Sequence, residues 1–133
     1  MKITTQYQSD YEYKATTSEG HTVSIDMRKE DKVDQAPMEM VLSALTGCVA
    51  VEVALMSKKR RKIGSDLVIE AEGTRRDEAP RSFTGIHLKF ILISPDAELE
   101  ELQKISKLSL EKYCSVADSL KAGVTFDCEV KAA

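Results

Sequence analysis

The three cysteines are the residues of this chain whose side chains could do redox chemistry: Cys48 in ALTGCVA, Cys114 in EKYCSV, and Cys128. A thiolate can attack a peroxide oxygen and become a sulfenic acid, with which a second nearby thiol condenses to a disulfide. Two cysteines on separate elements can do this only if the fold brings their Cα atoms within about 7 Å. Spacing alone therefore leaves buried packing and redox chemistry both open for Cys48 and Cys114.

The cysteine pattern also excludes some classes of site. Three widely separated cysteines disfavour a disulfide-stapled secreted fold and contain no CxxC motif for zinc or thioredoxin-like chemistry. Cys128 lies on the apolar face of the alternating segment VTFDCEV, which predicts a packing role. Glu52 follows Cys48 by one helical turn, and a carboxylate there disfavours a thiolate. A reactive Cys48 therefore requires an Arg or Lys nearby.

Length and composition fit a single globular domain over residues 1–133, with 42% hydrophobic and 31% charged residues. A net charge of -3, 5% aromatic residues and no Trp disfavour a nucleic-acid partner. The N-terminus is polar and lacks the apolar core of a signal peptide. The apolar run at 41–56 is interrupted by Glu52, so we expect a buried helix, no membrane partner and a cytoplasmic location.

Alternating apolar and polar residues predict three antiparallel strands in residues 3–27, each with one buried face. A charged loop at 28–37 should follow. A helix should begin at Pro37, a residue tolerated in the first turn, and end near Lys62 with Gly64 as its C-cap. Two strands, at 66–72 and 83–93, are expected next.

The C-terminal part predicts a second helix and a last strand. Ser94 should cap the helix and Pro95 should occupy its first position. The helix should extend to Tyr113 or slightly beyond, and a strand should cover 124–130. The helix should bury leucines and an isoleucine that recur at helical spacing, which are Leu99, Leu102, Ile105 and Leu108.

The first helix is apolar on all sides and rich in small residues. A helix of this kind is normally surrounded by protein, and a monomer of this size can hardly supply that much cover, so we expect a partner subunit. Gly47 costs about 1 kcal/mol relative to Ala in a helix interior. Its presence suggests that another backbone approaches closely beside Cys48.

The segments PMEMVLSALTGCVAVEV and LSLEKYCSVADSLK resemble the central helix and the second cysteine segment of the OsmC/Ohr family of thiol-dependent hydroperoxide reductases. The order of predicted elements also resembles that family over nearly the whole chain. The resemblance implies an α+β OsmC-like fold, in which antiparallel sheets wrap around a long central helix. It also implies an intertwined homodimer.

The resemblance implies a mechanism as well. Cys48 would be oxidised by an organic hydroperoxide, and Cys114 would then close a disulfide with it. A dithiol would reduce that disulfide, with a lipoylated protein as one candidate. The resemblance implies no metal and no bound cofactor.

The resemblance assigns two further residues to the site. Glu39 would be the catalytic carboxylate, although the family's acid directly follows the Pro, where this chain has Met38. A shift of one residue rotates a helical side chain by about 100°, and the alternative is a first-turn acid that complements the helix dipole. Arg28 would hold the thiolate, because it is the only Arg before Cys48.

Three functions are compatible with these residues. The first is a cysteine-based peroxidase acting on organic hydroperoxides. The second is a non-catalytic, stress-related protein that binds an apolar ligand on the same dimeric scaffold. The third is a structural subunit without a reactive thiol.

Overall fold

The structure, a computed structural model, describes residues 1–60 and 66–132. Its helices and strands confirm the α+β class, and a π-helical turn, Ser109–Tyr113, joins the last two helices. The chain divides into two compact units, Met1–Val41 and Leu42–Ala133. The elements are β1 (Ile3–Ser9), β2 (Glu12–Thr17), β3 (Thr22–Asp26), α1 (Pro37–Arg60), β4 (Asp66–Arg75), β5 (Phe83–Ile93), α2 (Leu99–Leu108), α3 (Ser115–Asp118) and β6 (Gly123–Lys131).

In the first unit, β1, β2 and β3 form the predicted antiparallel sheet in sequential order. Tyr7 and Tyr13 face each other across β1 and β2, with their ring centroids 5.7 Å apart in an edge-to-face arrangement. The predicted buried face is wrong for β1, which is exposed along nearly its whole length. Buried side chains in the three strands are Ala15 and Asp26.

Asp26 organises the loop after β3. Its carboxylate accepts hydrogen bonds from the backbone N–H groups of Arg28 and Val33, each at 3.0 Å. The Arg28 guanidinium donates two more, at 3.1 and 2.8 Å, and also reaches Glu12 at 3.2 Å. The Arg28 side chain, helped by the backbone donors, holds the pKa of Asp26 well below its usual range, against the opposing effect of burial.

Helix α1 begins at Pro37 as predicted, whereas its predicted end at Lys62 and C-cap at Gly64 lie outside the described residues. Leu45, Val49 and Val53 are fully buried and recur every fourth residue, so they form one stripe. The other side of the helix is open, as shown by the exposure of Val51 (59%) and Leu55 (52%). In a single chain the helix is therefore covered along one stripe and not on all sides.

By length and composition, Pro37–Ser57 could also cross a membrane, and 22% of its apolar window is buried in this chain. Within residues 1–60 and 66–132 the apolar side of α1 that carries Val51 and Leu55 stays exposed, and an exposed apolar surface of this kind often marks an interaction site.

In the second unit, β4, β5 and β6 form another sheet in sequential order. Strands β4 and β5 are antiparallel as predicted, whereas β6 runs parallel to β5. A parallel neighbour needs a crossover connection, and the α2–α3 segment supplies it. The inner face carries Leu88 and Phe90, both fully buried, and Phe90 packs edge-to-face on Phe126 with ring centroids 5.8 Å apart.

The predicted start of α2 is wrong. The helix begins at Leu99, not after a Ser94 cap, because Ser94 has other partners. Its hydroxyl donates to Asp96 at 2.7 Å, and its backbone N–H donates to the Lys131 carbonyl at the end of β6 at 3.0 Å.

The buried side of α2 is partly as predicted. Leu102 and Ile105 are buried there, together with Ser106. Leu99 and Leu108, which were expected on the same face, are exposed.

Replacing Asp26 with Asn should destabilise the protein most near neutral pH. Because the folded-state pKa of Asp26 is lowered, its stabilising effect is present above the ordinary carboxyl pKa of about 4 and is lost as the pH falls towards the lower folded-state value. The difference in Tm between wild type and Asp26→Asn should therefore shrink on acidification. Circular dichroism melts at a series of pH values measure it.

Glu12→Gln is the matched control, since Glu12 contacts the same Arg28 side chain through one ion pair only. It should change Tm less than Asp26→Asn does at neutral pH. A Tm difference for Asp26→Asn that stays constant from neutral to acidic pH would contradict the assignment.

Candidate active site

The structure brings the thiols of Cys48 and Cys114 close enough together for Cys48 to affect the ionisation of Cys114, although the two residues are far apart in sequence. Cys48 lies on α1 between its buried stripe and solvent and is half-buried. Cys114 is 4% exposed and belongs to the hydrophobic core of the second unit. Both are free thiols.

Cys114 is positioned by the local structure on both sides of it. The π-helical turn Ser109–Tyr113 precedes it, and the short helix α3 follows. Cys114 itself is extended, with φ -83° and ψ 100°, and caps α3 by accepting a hydrogen bond on Sγ from the Ala117 N–H at 3.3 Å. Leu110, inside the turn, is buried in the same core.

Ser109 links this turn to α1. Its hydroxyl donates to the backbone carbonyl of Val49, the neighbour of Cys48, at 3.1 Å, and both residues are fully buried. Sequence reasoning did not identify Ser109. The available signal was a small polar residue on the buried side of a predicted helix, which usually requires a buried hydrogen-bond partner.

The surroundings of Cys114 favour the protonated thiol. Burial raises the pKa of Cys114, and the contact with the Cys48 thiol raises it further. The Ala117 and Val116 backbone N–H groups act in the opposite direction, because they favour the thiolate, but they do not cancel the rise. Cys114 is therefore a thiol at neutral pH, with a hydrogen-bond donor already in place for its ionised form.

Glu39 and Arg28 belong to the first unit, Met1–Val41, and each has local partners. Glu39 is exposed, forms an ion pair with Lys32, and accepts a hydrogen bond from the Ala36 N–H at 3.0 Å. Lys32 is the main cause of a lowered pKa of Glu39, and the Ala36 N–H adds to it. These contacts match the helix-start alternative, in which an acid at the third helical position reaches back to the capping residue.

Arg28 is engaged by the buried carboxylate of Asp26 and by Glu12. The structure thus brings Cys48 and Cys114 together within the second unit, while Glu39 and Arg28 each have local partners within the first unit. Their predicted roles as catalytic carboxylate and thiolate ligand stay predictions.

Cys128 lies on the inner side of β6, where its thiol donates to the Ser106 hydroxyl of α2 at 3.6 Å. Burial raises its pKa, more than the Ser106 hydrogen bond lowers it. This environment agrees with a packing role. Among residues 1–60 and 66–132, no group of three or more His, Cys, Asp or Glu side chains could hold a metal ion.

Mild oxidation of the reduced protein with diamide should form a disulfide within one chain between Cys48 and Cys114, because these two thiols are already in contact. Peptide mass mapping identifies the bond, and a thiol titration should show the loss of two of the three thiols. Cys114→Ser should abolish the bond.

Cys128→Ser serves as the control and should leave that disulfide intact. A product that links Cys128, or one that forms only between chains, would contradict the geometry.

Comparisons with known proteins concern the fold and the family of the chain. Protein YhfA of Escherichia coli (strain K12) is 40% identical over 119 residues, which cover 88% of each chain. The crystal structure of a hypothetical protein from Aquifex aeolicus VF5 is similar over 99% of this chain and 96% of that one, with a TM-score of 0.85 and 28% identity.

An organic hydroperoxide resistance protein OsmC from Legionella pneumophila shares the fold over 98% of this chain and 97% of its own, with a TM-score of 0.66 and 12% identity. The family model for OsmC-like proteins matches residues 29–129, a range that contains both Cys48 and Cys114. The chain therefore belongs to the OsmC-like protein family.

Proposed function

We propose that the protein reduces organic hydroperoxides, with Cys48 as the peroxidatic cysteine and Cys114 as the resolving cysteine. The observation that carries this proposal is the proximity of the two thiols beside a hydrophobic core. Family membership supports it, because the family includes the organic hydroperoxide resistance protein from Legionella pneumophila that shares this fold.

The first step uses one thiolate and one hydroperoxide. The Cys48 thiolate attacks the terminal oxygen of the hydroperoxide, and the O–O bond breaks. The alkoxide takes up a proton and leaves as the alcohol, while Cys48 becomes a sulfenic acid.

In the second step, the Cys114 sulfur attacks the Cys48 sulfur, and the hydroxide leaves with the Cys114 proton as water. The Ala117 N–H, 3.3 Å from Sγ, stabilises Cys114 as it loses that proton. A dithiol then reduces the disulfide by two exchange reactions and is itself oxidised to a disulfide. A lipoylated protein is one dithiol that fits this role.

Apolar surroundings favour an organic hydroperoxide over hydrogen peroxide. Val49 follows Cys48 and Leu45 precedes it by three residues; both are fully buried, and the partly buried Leu42 and Met56 pack against the same core as Cys48. Side chains of this kind bind an alkyl or aryl group better than a small polar oxidant.

The proposal includes a homodimer in the cytoplasm, without a nucleic-acid or membrane partner. A second copy would cover the exposed apolar side of α1, and a reducing compartment keeps thiols available between turnovers. Gly47 lies on the exposed side of α1 next to Cys48. Within the described part of the chain, a Cβ at this position would meet nothing within 4 Å.

Cys48→Ser should remove the fast reaction with cumene hydroperoxide in stopped-flow measurements, with a loss of at least roughly 100-fold, since a hydroxyl replaces the nucleophile. Cys114→Ser should keep the first oxidation and lose only the disulfide. Wild type should react faster with cumene hydroperoxide than with hydrogen peroxide. Equal rates for wild type and Cys48→Ser would exclude the peroxidase.

A second candidate function is the binding of an apolar ligand on the same scaffold. The observation that favours it is that Glu39 and Arg28, the expected activating residues, are occupied by Lys32 and by Asp26 and Glu12, respectively. Negligible peroxide consumption together with a raised Tm in the presence of long-chain fatty acids would support it over the peroxidase.

Gly47→Ala tests the dimer. If a second copy packs closely at Gly47, the added methyl group should weaken self-association of a wild type that is dimeric at micromolar concentration. If Gly47 faces solvent, the same change should stabilise the chain by about 0.5–1 kcal/mol. Size-exclusion chromatography with light scattering over a dilution series distinguishes the two results.

The matched control is Gly123→Ala in β6, where an added Cβ also meets open space. It should leave the dimer unchanged. A monomeric wild type, or a Gly47→Ala dimer as tight as wild type, would contradict the proposed interface.

A further inference from the structure

Ser109 is the buried polar side chain that ties the cysteine segment to the central helix. Its residue is fully buried, and its hydroxyl donates to the Val49 carbonyl at 3.1 Å across a separation of 60 residues in sequence. Val49 is the neighbour of Cys48. Ser109 opens the π-helical turn that ends immediately before Cys114.

Two links therefore join the same short segments. On α1 the two links involve consecutive residues: Cys48 lies near the Cys114 sulfur, and the carbonyl of Val49 accepts the Ser109 hydrogen bond. On the other side they involve Ser109, the first residue of the π-helical turn, and Cys114, the residue that follows the turn. The Ser109 hydrogen bond ties the start of this segment to α1, and the Ala117 hydrogen bond fixes the Cys114 sulfur against the start of α3.

We infer that Ser109 is a positioning residue for the disulfide step, holding the Cys114 sulfur against Cys48 through its hydrogen bond to the Val49 carbonyl. This inference rests on the proposed function, because the disulfide step belongs to the proposed peroxidase reaction. The equilibrium between the two thiols and their disulfide can nevertheless be measured without any hydroperoxide. Ser109 does not touch the substrate. It acts through Cys114, because closure of the disulfide depends on how closely the two sulfurs are held together.

The test is thiol–disulfide exchange of the native protein with glutathione buffers, which measures how strongly the fold favours the Cys48–Cys114 disulfide. A buried neutral hydrogen bond contributes about 0.5–1.5 kcal/mol. Without this bond the Cys114 segment of the dithiol form can move its sulfur away from Cys48, so Ser109→Ala should lower the exchange constant roughly 2- to 10-fold, with the full energy of the bond as the upper limit. A hydroperoxide single turnover should show the same Cys48 oxidation rate with slower disulfide closure.

Ser106→Ala is the matched control. Ser106 is also fully buried, lies one turn earlier on the same side, and has its hydroxyl bonded to Cys128 instead of α1. It should lower Tm by an amount similar to Ser109→Ala while leaving the Cys48–Cys114 exchange constant unchanged. A purely structural role of Ser109 predicts that both variants behave alike.

A second pair of variants covers the case in which Ser109→Ala does not fold. Ser109→Thr keeps the hydroxyl. Ser109→Val gives a side chain of nearly the same shape as Thr but without the hydroxyl. The Thr variant should have the higher exchange constant of the two. Equal constants for Thr and Val, a wild-type constant for Ser109→Ala, or an equal loss in Ser106→Ala would overturn the inference.

The two proposals fail in different ways. If Cys48 does not react with hydroperoxides in wild type, the peroxidase is excluded, while the glutathione equilibrium still tests Ser109. If Cys48 reacts with hydroperoxides but the exchange constant is the same in all Ser109 variants, the peroxidase proposal is retained and the positioning role of Ser109 is excluded.

Discussion

The burial of one stripe of α1 is the constraint on which the second unit depends. Leu45, Val49 and Val53 are fully buried in the core, and each side chain of this kind stabilises the fold by about 1.5–3 kcal/mol when it is removed from water. The single Ser109 hydrogen bond contributes about 1 kcal/mol. The apolar stripe therefore determines where α1 lies, and the hydrogen bond adjusts how the cysteine segment meets it. Cys48, at the edge of the stripe, lies close to a buried thiol while remaining partly open to solvent.

The two thiols differ in environment, and this difference assigns their order in the proposed reaction. Cys114 is buried, has a raised pKa and is held by backbone and side-chain contacts on both sides. Cys48 is half-buried and lies next to the exposed side of α1. A substrate can approach Cys48 more easily, and Cys114 is suited to a later step in which its partner sulfur is already within reach. Glu39 and Arg28, the polar residues that the family resemblance assigns to activation, have local partners in the first unit, and their roles in the site stay predictions.

Local sequence patterns predicted the elements well where a single physical rule decided the outcome. Alternation identified β5 and β6 with nearly their observed bounds, and Pro37 marked the start of α1. Alternation indicates which face of a strand is buried but not the direction of its neighbour, so the parallel pairing of β6 was not predicted. Ser94 has the chemistry of a helix cap, but its hydroxyl bonds Asp96, a competition that composition cannot resolve.

The candidate site was predictable only as a pair of cysteines. The pairing of Cys48 with Cys114 was predicted from the family resemblance and not from their spacing. The proximity of the two thiols is produced by the tertiary packing of the core. Arg28 was chosen because no other Arg precedes Cys48, and its strong attachment to Asp26, two residues away, has no sequence signature distinct from that of any charged loop. The position of Cys114 depends on the π-helical turn Ser109–Tyr113, which shifts the helical register, and no periodic pattern in the sequence predicts such a turn.

The most direct measurement is a crystal structure of the protein after reaction with one equivalent of cumene hydroperoxide. The proposed chemistry predicts continuous density between the Cys48 and Cys114 sulfurs at the length of a disulfide bond, about 2.05 Å, with the Ser109–Val49 hydrogen bond retained. Cys48 left as a thiol, or oxidised to a sulfinic acid beside a free Cys114, would contradict the account that these two sulfurs act together.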